Sequence, residues 1–214
     1  LRVPPARPCP GAFSVAAGGF LDFTRSGRLT GSVDGAAGTV TFFGGFDADG
    51  GTPSITGIVE TRSTVQNGTI RGTGSLRANS GRLQQLTLDV PCVMTGFFTT
   101  DRLTLNSDLT FHAGTVGTNV WTIDGTQTLA GTGRVLMPGL SSRRSITGAA
   151  GVTWTIASGI RVLGGGCSIT VPGLVNLGEL ACNVVGARKS VSSSNWVNRG
   201  TLRAANGGDL AFGR

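Results

Sequence analysis

The sequence predicts an all-β protein and, within that class, a parallel β-solenoid (β-helix) with coils of about 20–22 residues. Short runs alternate apolar residues with threonine, which is the period-2 pattern of half-buried strands. Glycine supplies 36 of the 214 residues and interrupts these runs, so that no 3.6-residue apolar period is sustained. One six-residue pattern also recurs 22 residues later along the chain.

The predicted strands are short and follow one another closely. In chain order they include residues 86–88, 103–105, 109–111, 121–123, 152–156 and 169–171. Turn-forming pairs such as Asn67-Gly68 and Asp124-Gly125 separate them, since glycine, asparagine and aspartate tolerate positive φ angles. This arrangement predicts tight corners between strands of three to five residues.

Repetition distinguishes a solenoid from other all-β folds. The segment 175–180 (VNLGEL) recurs as 197–202 (VNRGTL), and 72–76 is echoed by 131–136 after about three coils of about 20 residues. A β-sandwich is the alternative, and it would explain the alternation but not this recurrence. Equivalent residues of successive coils lie above one another in a solenoid. We therefore expect stacked core positions among Val175, Leu177, Leu180, Val197 and Leu202.

Composition divides the chain into three parts. Residues 1–12 are expected to form an extended N-terminal arm, residues 13–60 a cap or irregular β region, and residues 61–214 the solenoid. Open coil ends expose backbone groups and core side chains, which a second copy of the same coil would satisfy. The expected assembly residues are Leu1, Val3 and Pro5 in the arm, and Leu210 and Phe212 near the other end.

The formal net charge is +7, and Lys189 is the only lysine. Such a charge suits anionic polysaccharides, nucleic acids or membrane surfaces. The arginines are spread along the chain without a dense basic stripe, so no specific nucleic-acid partner is expected. The adjacent pairs Arg143-Arg144 and Arg188-Lys189 are the candidate polyanion contacts. No apolar run approaches the roughly 18 residues of a membrane span, so no transmembrane segment is expected.

The four cysteines are Cys9, Cys92, Cys167 and Cys182. They form no Cys-x-x-Cys pair, which disfavours a zinc site. Their even number and wide spacing suit two disulfides in an oxidising compartment. Four cysteines allow three pairings, of which Cys167–Cys182 is favoured; it would close a short loop and leave Cys9 to pair with Cys92. The alternative is that all of them are buried free thiols.

Asp101, Asp108 and Asp124 form the nearest thing to an acidic series, with Arg102 and His112 close in sequence. Two carboxylates and a base could support hydrolysis or lyase chemistry. However, these aspartates also suit turns, and the acidic residues of the chain are scattered. We therefore predict no catalytic residue and no enzymatic activity.

A weak calcium candidate lies at Asp47 and Asp49, which begin an aspartate-x-aspartate-glycine segment. In an EF-hand loop an acidic ligand occupies the twelfth position, where this chain has Ile58. A glycine-rich turn is therefore the favoured interpretation, and neither a metal nor another cofactor is predicted.

Residues 153–160 and 197–210 resemble coils of large bacterial secreted β-solenoids, such as autotransporter passenger domains and filamentous-haemagglutinin-like surface proteins. The resemblance covers residues 61–214 and rests on low-complexity pattern rather than on a diagnostic motif. It implies an extracellular or cell-surface location and an adhesive or scaffolding role.

Together these observations predict a secreted structural protein, a subunit of an extracellular fibre or surface scaffold. Its partner is expected to be itself, in a head-to-tail homopolymer joined through strand edges. Two alternatives are an adhesin that binds anionic polysaccharide or a cell surface, and a polysaccharide-active β-helix enzyme.

Overall fold

The computed structural model describes residues 8–9 by their backbone, and residues 11–112, 118–141 and 143–213 in full. Its strands all pair in parallel, and the described ranges contain no α-helix. Consequently none of these ranges holds a helix long and apolar enough to cross a bilayer. The strands stack into a parallel β-solenoid, as predicted, and the structure shows that it has three sides. The wholly parallel pairing excludes a β-sandwich.

The three sides are called faces 1, 2 and 3 in the order in which later coils visit them. Face 1 holds β3 (Phe20–Phe23), β11 (Asp108–Phe111), β14 (Arg134–Met137), β17 (Arg161–Gly164), β20 (Glu179–Cys182) and β23 (Thr201–Ala204). Face 2 holds β1 (Pro8–Cys9), β4 (Gly27–Leu29), β6 (Phe46–Asp47), β12 (Asn119–Ile123), β15 (Arg144–Gly148), β18 (Cys167–Thr170), β21 (Arg188–Val191) and β24 (Asp209–Phe212). Face 3 holds β2 (Phe13–Ser14), β13 (Gln127–Gly131), β16 (Thr153–Ile156), β19 (Gly173–Asn176) and β22 (Asn195–Asn198).

Five longer strands bend around corners without interruption. β5 (Ser32–Phe42) and β7 (Ser54–Thr61) belong to faces 3 and 1, and β8 (Thr64–Gly72) to faces 2 and 3. β9 (Ser75–Leu88) and β10 (Cys92–Leu105) run along all three faces.

One inward column of face 1 runs through every coil and shows how the core is built. Its eight inner members, from Val40 to Leu180, are 1% exposed or less. Successive members are 16 to 27 residues apart, a range that includes the predicted coil length. The column consists of Leu21, Val40, Val59, Leu76, Cys92, Leu109, Val135, Val162, Leu180 and Leu202. Because a parallel register places like positions above one another, small apolar residues stack into a continuous core.

Aromatic rings pack together in the core of the coils that hold β11 to β16. Trp121 packs edge-on against Phe111 and Trp154, with ring centroids 6.0 and 5.6 Å away. The Trp121 indole Nε1 donates a hydrogen bond of 2.8 Å to the buried hydroxyl of Thr100. The indole therefore contributes its large apolar area without leaving a buried donor unpaired.

Parallel stacking also extends into residues 13–60, the segment expected to form a cap or irregular β region. Phe13 of β2 pairs with Val33 of β5, which pairs in turn with Ile55 of β7. Of the expected arm, residues 8–9 form β1 and pair with β4. The regular coils therefore begin well before residue 61.

The two copies of the 22-residue repeat stack in register, as predicted, but some of the positions predicted to lie in the core do not. Val175 pairs with Val197, and Leu180 pairs with Leu202. Leu180 is in the core and Leu202 packs against it, whereas Val197 and Leu177 are exposed.

The inward positions of β19 are Leu174 and Asn176, and Val175 faces outward between them. The asparagine is accommodated inside because its Nδ2 donates to Asn198 Oδ1 (2.7 Å) and to the Thr201 carbonyl (3.1 Å).

Candidate assembly surface

The predicted acidic series does not converge on one site. Asp108, on face 1, holds Arg134 through two hydrogen bonds of 2.6 and 2.8 Å. Asp101 and Asp124 lie one coil apart at the corner after face 2, because the Asp124 amide donates to the Thr100 carbonyl. Both carboxylates are occupied by arginines, Asp101 by Arg102 at 3.5 Å and Asp124 by Arg82.

His112 lies elsewhere, beside a groove on the outer surface lined by Glu60, Arg77 and Thr95. No group of three or more His, Cys, Asp or Glu side chains among the described residues is placed to hold a metal ion.

The calcium candidates Asp47 and Asp49 are used in local structure. Asp47 accepts the Asp49 amide at 2.7 Å and the side-chain amides of Gln66 and Asn67 at 2.8 and 2.9 Å. Asp49 forms an ion pair with Arg28. These contacts stabilise a turn, as the favoured interpretation of the sequence expected.

The two candidate polyanion pairs are each split between surface and core. Arg143 and Arg188 are exposed, whereas Arg144 and Lys189 have no exposed surface. Arg188 also lies 3.5 Å from Asp209 on the next coil. The prediction that all four residues contact a polyanion is therefore wrong for Arg144 and Lys189. Adjacent residues of a strand point to opposite sides, so one member of each pair must point inward.

The favoured disulfide is absent, since Cys167 and Cys182 are free thiols, as is Cys92. Cys167 begins β18 on face 2 and Cys182 ends β20 on face 1, so the two strands belong to different faces and do not pair. All three thiols are buried. Burial raises the pKa of Cys92 and of Cys167 to about 12. The Cys9 side chain lies outside the described residues.

A polar column runs through the core of face 2, and sequence reasoning missed it. Asn119, Arg144, Cys167 and Lys189 occupy equivalent inward positions in successive coils and are at most 4% exposed. Alternation along the strands would have placed these residues inside, because each precedes an outward serine or valine and an inward apolar residue. The sequence-based prediction instead placed Arg144 and Lys189 at the surface because they are charged.

The buried guanidinium group of Arg144 is hydrogen-bonded to backbone carbonyls rather than paired with a carboxylate. Its Nε donates to Gly166 at 3.0 Å, and its two terminal nitrogens donate to Phe111, Pro138, Gly139 and Ser141 at 2.7 to 3.3 Å. Desolvation lowers the pKa of this guanidinium. The side chain thus ties the corner at 138–141 to the coils on either side.

Lys189 plays the corresponding role two coils later. Its Nζ donates to the Ala181 carbonyl at 2.6 Å and to the Val162 carbonyl at 3.5 Å. Burial lowers the pKa of Lys189 to about 8. Arg144 therefore fastens a corner of the solenoid, whereas Lys189 links two neighbouring strands of face 1, β17 and β20, and neither side chain is available to an external ligand.

The last coil presents an apolar surface at the C-terminal edge of the stack, formed by β22, β23 and β24. Trp196 and Phe212 are 41% and 37% exposed, and their rings stack at 4.7 Å. Phe212 continues the inward column of Ile146, Ile169 and Val191, which are all buried.

Of the expected assembly residues, Leu210 and Phe212 lie in β24 on this edge, and Leu210 is partly buried against the core. Leu1, Val3 and Pro5 lie outside the described residues. Each strand of the edge pairs with the preceding coil alone within the described part of the chain. Trp196, Leu210 and Phe212 therefore form the apolar part of this edge.

Comparison of the chain with protein-family models, with curated proteins and with solved structures finds no match in any of the three.

Proposed function

We propose that this chain is a structural subunit of an extracellular fibre or surface scaffold. The fibre grows when a further β-solenoid coil docks on the C-terminal edge of a subunit. The observation that carries the proposal is the exposed Trp196–Phe212 stack, which occupies positions that are buried in the preceding coils. Large apolar side chains that are exposed together mark interaction surfaces.

The backbone groups of the last strands also support docking on the C-terminal edge. A parallel strand with one neighbour leaves N–H and C=O groups along its open edge, which another strand can pair by β-augmentation. On this edge three such strands surround the aromatic stack, so one docking event would satisfy backbone groups and bury apolar area together. Head-to-tail contacts of this kind do not close and therefore generate filaments.

The charged residues on the sides of the solenoid also support a structural role, because several of them pair with one another across neighbouring coils. Arg161 on β17 binds Glu179 on β20 at 2.7 Å, and Arg203 on β23 approaches the same carboxylate at 4.0 Å. With these pairs and that of Asp108 with Arg134, several charges link neighbouring coils. The net charge of +7 would oppose lateral clumping while the ends remain free to join.

The extracellular location is part of the proposal and rests on the resemblance of residues 61–214 to secreted solenoids. The free thiols of Cys167 and Cys182 withdraw the support that a disulfide would have lent it. Fractionation of cells that produce the native protein tests the location: we expect it in the medium or at the cell surface, and recovery in the cytoplasm would contradict it.

Assembly is tested by negative-stain imaging and light scattering of the purified 214-residue chain. We expect filaments or end-joined rods, and Trp196→Asp and Phe212→Asp should each shorten them by placing a charge in the junction. Phe97→Asp is the matched control, because Phe97 is 67% exposed on the side of β10. A monodisperse particle of monomer mass, or equal effects of all three substitutions, would contradict the proposal.

A further inference from the structure

We propose that one corner of the solenoid binds the surface of a bilayer that contains anionic lipids. The corner lies between faces 1 and 2, and its contact surface, called the corner ridge, comprises the turns 138–141 and 183–187 with Arg143 and Arg188. Described coils lie on both sides of the ridge along the stack, at β11 and at β23. The inference therefore stands apart from the proposed assembly on the C-terminal edge.

The unequal lengths of successive turns explain why the ridge protrudes. Residues 138–143 separate β14 from β15 and residues 183–187 separate β20 from β21, whereas only residues 165–166 separate β17 from β18 in the coil between them. The short turn is buried, and the Gly139 carbonyl oxygen lies so close to Gly165 that no Cβ would fit there. The longer turns therefore cover the short one and extend from the corner.

Two apolar side chains form the crest of the ridge. Leu140 and Val185 are 61% and 71% exposed. The two turns that carry them are neighbours, since Leu140 Cδ2 lies 3.7 Å from the position that a Cβ would take on Gly186, the residue after Val185. Large apolar side chains that are exposed together mark interaction surfaces.

An apolar groove of about 310 Å³ adjoins the ridge on face 1. Its outward residues Leu136 and Leu163 are direct register partners, and Pro138 and Val184 from the two turns also line it. The arginines on β14 and β17 beside this groove are paired with acidic side chains of neighbouring coils. The face 1 side of the ridge is therefore apolar and electrically neutral, which suits contact with the acyl boundary of a bilayer.

Two exposed arginines, Arg143 and Arg188, flank the ridge on face 2. They precede Arg144 and Lys189, which hold equivalent positions two coils apart, so about 10 Å of the stack separates them. Among the described residues no acidic side chain pairs with Arg143, and Asp209 alone approaches Arg188, at 3.5 Å. Basic side chains beside an apolar crest supply the two attractions that hold peripheral proteins on anionic membranes.

The strands that border the turns favour a bilayer over a protein partner. β14, β15, β20 and β21 each pair with a strand of the coil on either side, so they offer no open edge for β-augmentation. Side chains alone must therefore make the contact. A protruding crest enters a fluid interface directly, whereas a folded partner would need a matching cleft. The net charge of +7 also draws the chain toward an anionic surface.

Vesicle flotation in a density gradient tests the inference, because vesicles carry bound protein upward and filaments alone do not float. We expect the purified chain to float with equimolar phosphatidylglycerol–phosphatidylcholine vesicles and to bind pure phosphatidylcholine vesicles at least about tenfold more weakly. Arg143→Ala should lower the partition coefficient about fivefold. Its control is Arg71→Ala, which removes the same charge from the exposed end of β8 at a different corner and should change the coefficient less than about twofold.

The crest is tested separately. Leu140→Asp and Val185→Asp should each lower the partition coefficient about tenfold, because a carboxylate then replaces an inserted apolar group. Phe20→Asp is the matched control, since Phe20 is 79% exposed on β3, far from the ridge along the stack. Losses confined to the ridge variants would support the inference. Absence of flotation, equal losses in the controls, or a loss in Arg143→Ala without one in either crest variant would overturn it. Filaments that form without floating would overturn it while the proposed function stands.

Discussion

Lys189 is the direct register partner of Cys167 on the preceding coil, and both side chains are buried in the core of face 2. The ammonium group of Lys189 lies near thiols and backbone carbonyl oxygens. No carboxylate among the described residues forms an ion pair with it. Buried charges without a carboxylate partner are costly to maintain. The stability of the solenoid should therefore depend on the protonation of Lys189.

The first prediction concerns pH. The pKa of Lys189 falls from 10.5 to about 8 on folding, so between these values the unfolded chain holds a proton that the folded chain has lost. Raising the pH through this window should stabilise the parent relative to Lys189→Met by up to about 1.4 kcal/mol per pH unit. Urea unfolding at pH 7, 8.5 and 10 measures this difference.

The comparison with Lys189→Met is needed because the titration of Cys92 and Cys167 changes the free energy of unfolding in the opposite direction. Their pKa values rise from 9.0 to about 12 on folding, so these thiols destabilise the folded chain progressively above about pH 9. Both cysteines are present in parent and variant, and their contribution largely cancels. Parallel pH profiles for the two proteins would contradict the predicted role of Lys189.

The second prediction separates two adjacent arginines. Arg144→Met should lower the free energy of unfolding by about 1–3 kcal/mol, since it leaves several carbonyls without donors while the loss of a buried charge offsets part of the cost. Arg143→Ala should change it by less than about 0.5 kcal/mol, because that side chain is exposed. Equal effects in urea titrations would show that the corner at 138–141 does not depend on Arg144.

The fold was more predictable than the inward positions because the two depend on different signals. Glycine corners, threonine alternation and the repeat at Val175 and Val197 indicate parallel coils whatever each side chain contacts. Orientation follows from strand phase, and there polarity misleads: Arg144 and Asn176 are buried because backbone and side-chain acceptors or donors surround them. Several of those partners, such as Phe111 and Gly166 for Arg144 and Asn198 for Asn176, come from other coils, so local sequence does not reveal them.

The third prediction concerns the thiols. In a Cys9→Ser background, the native protein should react slowly with a thiol reagent at pH 8, since Cys92, Cys167 and Cys182 are free and buried. Unfolding in denaturant without reductant should expose all of them to rapid reaction. Mass spectrometry of the labelled protein counts the modified cysteines. Labelling of Cys92 alone would instead reveal a Cys167–Cys182 disulfide.

The last prediction compares neighbours on β19 that point in opposite directions. Asn176→Ala removes the hydrogen bonds to Asn198 and to the Thr201 carbonyl, which fasten the corner between β22 and β23. Asn176 Oδ1 is itself buried without a partner, so its removal offsets part of the loss, and the net cost should be about 1 kcal/mol. Val175→Thr keeps the shape of an outward side chain and should cost less than about 0.5 kcal/mol. The loss should be local: amide hydrogen exchange of β22 and β23 should accelerate in Asn176→Ala while that of β16 and β17 stays at the parent rate. Uniform acceleration along the chain would mean that Asn176 supports the whole stack rather than its last coil, and no acceleration would mean that these hydrogen bonds do not hold the corner.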